Sequence, residues 1–223
     1  MTTAIIVAAG KSERMGTGTD KAFLSLGNKP VVAWSLLAFE RCPEIDRIVL
    51  VVRKEQQIAA KAVVKMFGIS KLQAIVPGGN RRQESVKSGL AACDLDTRHV
   101  VIHDGARPCI TSDVISEVVK LVKRVPAVTV GRKMTDTVKR VGKGTTVAGT
   151  EDRDRLWAVQ TPQAFQIKVL REAYKALGKN EVTDDCQAVE MLGETVRIYE
   201  NRNPNFKITV VEDLQIANAI LVK

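Results

Sequence analysis

Ala4-Ile5-Ile6-Val7-Ala8-Ala9-Gly10-Lys11-Ser12-Glu13-Arg14-Met15-Gly16 carries a short β-branched segment straight into a loop of small and cationic residues. An apolar run of this length, stopped by a glycine, reads as a buried strand. The same pattern recurs at Ile48 to Val52, Leu72 to Val76, His99 to Ile102 and Ala127 to Val130. Between these runs lie helical periodicities over 31–40, 58–67 and 84–92, with Pro30 placed for a helix start. Val114, Ile115, Val118, Val119 and Val122 fall on one face of a further helix. Strands alternating with helices of this length predict right-handed βαβ units. The expected architecture is a Rossmann-like three-layer α/β fold, a mostly parallel sheet with helices on both faces. Ligands of such sheets sit outside the carboxyl ends of the strands, so the loops that follow strands are the candidate site.

One stretch departs from the alternation. Thr135-Asp136-Thr137-Val138-Lys139-Arg140-Val141 and Thr145-Thr146-Val147 flank Gly142-Lys143-Gly144, which predicts a hairpin. A polar hairpin has no apolar face to hold it and is marginal alone. The spacing therefore predicts a β-arm insertion at about 134–155 that packs on something else, a second copy of the chain being the natural partner. Beyond it the pattern predicts helices over 167–177 and 184–192, a strand over 196–199 and a closing helix from Glu212. No internal repeat interrupts the 223 residues, which read as a single domain.

Composition narrows the function classes. The chain has 34 Lys+Arg against 25 Asp+Glu, a formal net charge of +9. A basic excess suggests a polyanion, yet no block of like charges occurs and aromatics are only 4%, too few for a base-stacking platform. Nucleic acid is not the expected partner; small phosphorylated substrates are. No apolar run is long enough for a membrane span, and no basic region precedes the first apolar stretch as a secretory signal needs. Cys42, Cys93, Cys109 and Cys186 form no C-x-x-C pair and read as reduced thiols of a cytoplasmic protein.

Three loops carry the chemistry. The first, from Ala8 through Gly16 to Lys21, combines small residues that let a ligand approach the backbone with cations that suit phosphates. It is neither G-x-G-x-x-G, because Ser12 stands where the second glycine belongs, nor a Walker A loop. The second, Pro77-Gly78-Gly79-Asn80-Arg81-Arg82-Gln83-Glu84-Ser85, leads from a strand end into a helix N-terminus. The third is Ile102-His103-Asp104-Gly105-Ala106-Arg107-Pro108. A carboxylate at a strand tip beside phosphate-binding loops is a natural Mg²⁺ ligand, so Asp104 is the candidate metal residue. With only His99 and His103 present, no Ser/His/Asp or Cys/His nucleophile system is visible.

These loops, followed in order by Asp136-Thr137-Val138-Lys139, Arg153-Asp154-Arg155-Leu156-Trp157, Gln160-Thr161-Pro162-Gln163, Thr183-Asp184-Asp185, Asn205-Phe206-Lys207-Ile208-Thr209 and Glu212-Asp213-Leu214, resemble the CDP-alcohol-forming cytidylyltransferases. The methylerythritol phosphate branch of that family is the best match. The resemblance implies a Mg²⁺-dependent reaction of CTP with 2-C-methyl-D-erythritol 4-phosphate, giving a CDP-alcohol and pyrophosphate for isoprenoid precursor synthesis. It assigns Arg14 and Lys21 to the CTP phosphates, and Ala8, Ala9, Gly10, Gly79, Asn80, Ser85 and Gly105 to the nucleotide. Asp104 and Arg107 fall to the sugar alcohol, and Lys207 and Thr183 to the substrate's own phosphate. Thr137 and Arg153 would reach across from the partner's arm in a homodimer. The family is cytoplasmic or plastidial, and no transit peptide is visible here.

Structural readings compete with several of these roles. Thr183 could be the N-cap of the helix carrying Asp184 and Asp185. Lys207 could be a solvated residue of an alternating strand. Arg81 and Arg82 read as structural or surface cations, His103 as a prop for the Asp104 loop, and Trp157 as packing. The family's usual Pro-Lys-Gln-aromatic run is replaced by Asp20-Lys21-Ala22-Phe23, which predicts a looser loop around an unchanged cation. Alternatives of substrate or class are a ribitol 5-phosphate enzyme and a nucleotide-binding sensor without turnover.

Overall fold

The computed structural model describes residues 1–10 and 20–222. Arg14, assigned above to the CTP phosphates, lies outside the described residues. The strands are β1 (Thr2–Ala8), β2 (Ser25–Leu26), β3 (Lys29–Pro30), β4 (Arg47–Val52), β5 (Leu72–Pro77), β6 (His99–Asp104), β7 (Ala127–Lys133), β8 (Lys139–Val141), β9 (Val147–Thr150), β10 (Trp157–Gln166) and β11 (Val196–Glu200). The helices are α1 (Val31–Arg41), α2 (Gln57–Met66), α3 (Arg82–Ala91), α4 (Ser112–Val122), α5 (Ile167–Leu177), α6 (Asp185–Met191) and α7 (Val211–Leu221). A seven-stranded sheet runs in the order β11-β7-β10-β6-β1-β4-β5. Its strands are parallel except β10, which is antiparallel to both β6 and β7.

Alternation along the central strands divides the core in two. Ala4, Ile6 and Ala8 pack with Ile48, Leu50 and Val52 against α1, α2 and the valine face of α4. Ile5 and Ala9, with Val49 and Val51, face the other way, toward α3, α5 and α6. Period-two side chains on strands buried on both faces produce this three-layer arrangement. A smaller cluster of Leu26, Val31, Cys109, Ile208 and Ala217 seats α7 beside the carboxyl end of the sheet.

The sequence reading omits β10. Trp157-Ala158-Val159-Gln160-Thr161-Pro162-Gln163-Ala164-Phe165-Gln166 has no clean alternation, and a proline argues against a central strand. The strand is accommodated because its register shifts between Gln160 and Gln163, at the cis Thr161–Pro162 bond. Its polar residues are buried but bonded, Gln163 donating to Thr129 Oγ1 at 3.1 Å and to Asp184 Oδ2 at 2.7 Å. The predicted hairpin is present as β8 and β9, an antiparallel pair in a sheet of its own with Val141 and Val147 exposed. No helix among the described residues is long and apolar enough to cross a membrane.

Candidate active site

β1, β5 and β6 end at the same edge, and the loops leaving them surround one cleft. Its walls include Ala8, Ala9 and Gly10 after β1, Gly79, Asn80 and Ser85 after β5, and Asp104 at the tip of β6. Lys21 and Lys207 reach the same cleft from outside the sheet. The β5 loop depends on glycine for space. A Cβ at Gly78 would stand 2.4 Å from Ala9 Cβ and 2.7 Å from Ser85 Oγ, so the β1 and β5 loops could not close on each other. Ser85, almost fully buried, accepts from the Gly79 N–H at 3.2 Å and thereby ties the loop to α3.

Asp104 is the electrostatic centre. Its Oδ1 accepts from Arg82 Nε at 3.1 Å, and its Oδ2 lies 3.0 Å from Lys207 Nζ and 3.5 Å from Arg107 Nε. Burial alone would raise its pKa, but Arg82, Lys207 and Arg107 outweigh that and hold the carboxyl well below the usual range. Asp104 is therefore an anion that keeps three cations gathered at the mouth of the sheet.

The loop behind it is fixed by a buried histidine. The Asp104 N–H donates to Thr161 Oγ1 at 3.0 Å, and the Thr161 hydroxyl pairs with His103 Nδ1 at 3.1 Å. His103 Nε2 then donates to the Arg107 carbonyl at 3.2 Å. Burial lowers the His103 pKa to about 3, so the ring stays neutral and braces both ends of the Asp104–Arg107 turn. The expectation that His103 props this loop holds. Replacing His103 with alanine should cost about 2–4 kcal/mol, through the cavity it leaves and the loss of its bonds to Thr161 and the Arg107 carbonyl. Urea unfolding measures this, and an unchanged midpoint would reject the brace.

Other expected residues stand elsewhere. Gly105 is buried behind the wall, where a Cβ would meet Ala8 Cβ at 3.1 Å, and Arg107 donates to the Asn205 carbonyl at 2.9 Å. Lys207 lies in an irregular segment rather than on a strand, pinned by the Ile208 N–H bond to the Ala106 carbonyl. Thr183 is exposed and bonds Gln187; the cap of α6 is Asp184, which accepts from the Gln187 N–H at 2.9 Å. Thr137 and Arg153 are exposed on the hairpin segment and do not line the cleft, Arg153 donating to the Thr135 carbonyl at 2.7 Å.

Two residues gain roles that the sequence reading did not give them. Asp20, standing where the family's run has a proline, caps the short 3₁₀ turn Lys21–Phe23 by accepting from the Ala22 N–H at 3.1 Å, and it pairs with Arg53; the Arg14–Lys21 loop expected to loosen lies mostly outside the described residues. Aspartate thus replaces a rigid ring with a hydrogen bond, an N-cap signal readable in the sequence. Arg82, read as structural or surface, is structural and forms part of the cleft wall, paired with Asp104 and Asp185. Only the topology, which brings α3 and α6 together over β6, could reveal that.

As for a metal, no group of three His, Cys, Asp or Glu among the described residues could form an all-protein cage. One hard carboxylate among phosphate-seeking cations fits a Mg²⁺ that arrives largely coordinated by phosphate oxygens.

The whole chain has counterparts. A family model described as IspD, 2-C-methyl-D-erythritol 4-phosphate cytidylyltransferase, matches residues 2–223. Proteins named 2-C-methyl-D-erythritol 4-phosphate cytidylyltransferase from Alkaliphilus metalliredigens and Dehalococcoides mccartyi are 40% and 43% identical, covering 98% and 99% of this chain and 92% and 96% of their own lengths. The crystal structure of 4-diphosphocytidyl-2C-methyl-D-erythritol synthase from Anaerococcus prevotii superposes with a TM-score of 0.88 at 31% identity, over 100% of this chain and 96% of that one. The Thermus thermophilus cytidylyltransferase structure gives 0.80 at 28% identity, over 99% and 98%.

Proposed function

The chain belongs to the 2-C-methyl-D-erythritol 4-phosphate cytidylyltransferase family, and on that premise we propose how its cleft joins CTP to 2-C-methyl-D-erythritol 4-phosphate. The products are 4-diphosphocytidyl-2-C-methyl-D-erythritol and pyrophosphate. The observation that carries the reading is Asp104 ringed by Arg82, Arg107 and Lys207 at a cleft that the nucleotide loops and Lys21 also line.

The nucleophile is an oxygen of the alcohol's phosphate, already anionic at neutral pH, so no general base is needed. It bonds to the α-phosphorus of CTP while the bond to the β-phosphate oxygen breaks, and pyrophosphate leaves with that electron pair. Two anions meet and a third departs, so catalysis rests on positioning and charge neutralisation. The Ala8–Gly10 and Gly79–Ser85 loops hold the nucleotide, and Lys21, with Arg14, meets charge growing at the α-phosphate. Asp104 orients the alcohol's hydroxyls, while Lys207 and Thr183 hold its phosphate. Asp104 would be the protein carboxylate for a Mg²⁺, which when bound would supply further neutralisation of the phosphates.

We further propose a homodimer in which the β8–β9 arm brings Thr137 and Arg153 to the other copy's cleft. The exposure of both residues, away from their own cleft, supports this. Four buried, unpaired cysteines fit a reducing cytoplasm.

Pyrophosphate release from CTP, measured with 2-C-methyl-D-erythritol 4-phosphate and with ribitol 5-phosphate, with and without Mg²⁺, tests the reading. The first alcohol phosphate should be turned over, with metal required. Preference for ribitol 5-phosphate would move the enzyme to the alternative substrate, and no release with either would leave only a nucleotide binder. Lys207→Ala should raise the KM for the alcohol phosphate by about 10–100-fold, the worth of a hydrogen bond to a charged group, with kcat little changed. A defect confined to CTP would contradict its assignment.

A further inference from the structure

Arg82 is the first residue of α3, immediately after the loop that carries Gly79 and Asn80. Its guanidinium spans two carboxylates on different elements. Nε donates to Asp104 Oδ1 at 3.1 Å, and Nη1 donates to Asp185 Oδ2 at 2.7 Å. Asp185 is fully buried at the first turn of α6, two residues after Thr183, and its other oxygen accepts the Tyr174 hydroxyl. The remaining nitrogen of Arg82, Nη2, is buried without a hydrogen-bond partner among the described residues. The orientation of the fork is therefore set by its two carboxylates rather than by satisfying every donor.

The alcohol phosphate is assigned to this same region, its hydroxyls to Asp104 and its phosphate to Lys207 and Thr183, which lies two residues before α6. From this placement we propose that Arg82 is a positioning residue that locks Asp104 to the α6 N-terminal segment, holding the two halves of the alcohol-phosphate site at a fixed separation. The inference rests on the functional reading above and deepens it. A planar fork can hold two carboxylates at once in fixed directions, whereas a lysine ammonium is a point charge on a flexible stem. Charge between the carboxylates and rigid connection between them are thus separable by substitution.

Arg82→Lys keeps the charge and loses the fork. The double variant Arg82→Met/Asp185→Asn removes the buried pair together, so no lone Asp185 charge is left to unfold the protein. Both should melt close to wild type. In steady-state assays with CTP and 2-C-methyl-D-erythritol 4-phosphate, both should lose on the order of 10²-fold in kcat/KM for the alcohol phosphate, the size of a small misplacement of reacting groups. The KM for CTP should move far less. Wild-type kinetics in Arg82→Lys would show that charge alone suffices and overturn the proposal. Restored kinetics in the double variant would also overturn it, reducing Arg82 to a counterion for Asp185. An inactive wild type would overturn the functional reading and this inference with it, whereas an active wild type with unaffected variants overturns this one alone.

Discussion

Replacing Lys21 with alanine is expected to lower kcat by about 10²–10³-fold, the loss typical of one preorganised charge-stabilising donor. The expectation follows from what the reaction lacks. Its nucleophile needs no deprotonation, and the histidine behind the site, His103, is buried and neutral. The barrier is charge accumulation at one phosphorus, and Lys21 lines the cleft. The backbone beneath it is held independently, since Asp20 caps its 3₁₀ turn and the Leu24 N–H bonds the Lys21 carbonyl at 3.3 Å. Truncating the side chain should thus remove charge without moving the loop, and the melting temperature should hold. A contact made mainly in the transition state lowers kcat and kcat/KM together. Wild-type turnover in Lys21→Ala would reject the role; a raised KM for CTP at unchanged kcat would make Lys21 a ground-state anchor instead.

What the sequence made legible follows from locality. Ile5, Ile6 and Val7 announce a two-sided strand because alternation and β-branching are properties of neighbours along the chain. The loops at Ala8–Gly10, Gly79–Ser85 and Asp104 were visible for the same reason, each following such a strand directly. β10 was not, because its polar residues are paid for by partners far away, Gln163 by Thr129 and Asp184. Which of the two readings of Arg82, structural or surface, is right was hidden on the same ground. Its environment is made by Asp104 and Asp185, which lie 22 and 103 residues onward. Asp20 is the opposite case, a local N-cap signal that stood in the sequence and was passed over.

The net charge also acquires a location. Arg82, Arg107, Lys207 and Lys21 lie in or just behind one cleft, and Asp104 offsets only part of their charge. A concave site with an excess of one sign of charge focuses its field on small anions, and two of them must be held together here.

Mixing two inactive chains should restore activity, and this is the strongest test of the arm. Arg153 is exposed and bonded within its own hairpin segment, outside the cleft it is assigned to serve. If it serves the partner's cleft, Lys21→Ala and Arg153→Ala each disable both sites of their own homodimers. In a mixed dimer, one cleft combines both defects. The other combines an intact Lys21 with an intact Arg153. Random exchange makes half the dimers mixed, so about one quarter of all clefts should be intact, far above either parent at a loss of about 10²-fold. Activity should rise with the time allowed for subunit exchange, then level off. A site completed within one chain predicts no rise at all, because every chain in the mixture then carries a defect in its own cleft. Such a flat result would detach Arg153 from the partner's cleft.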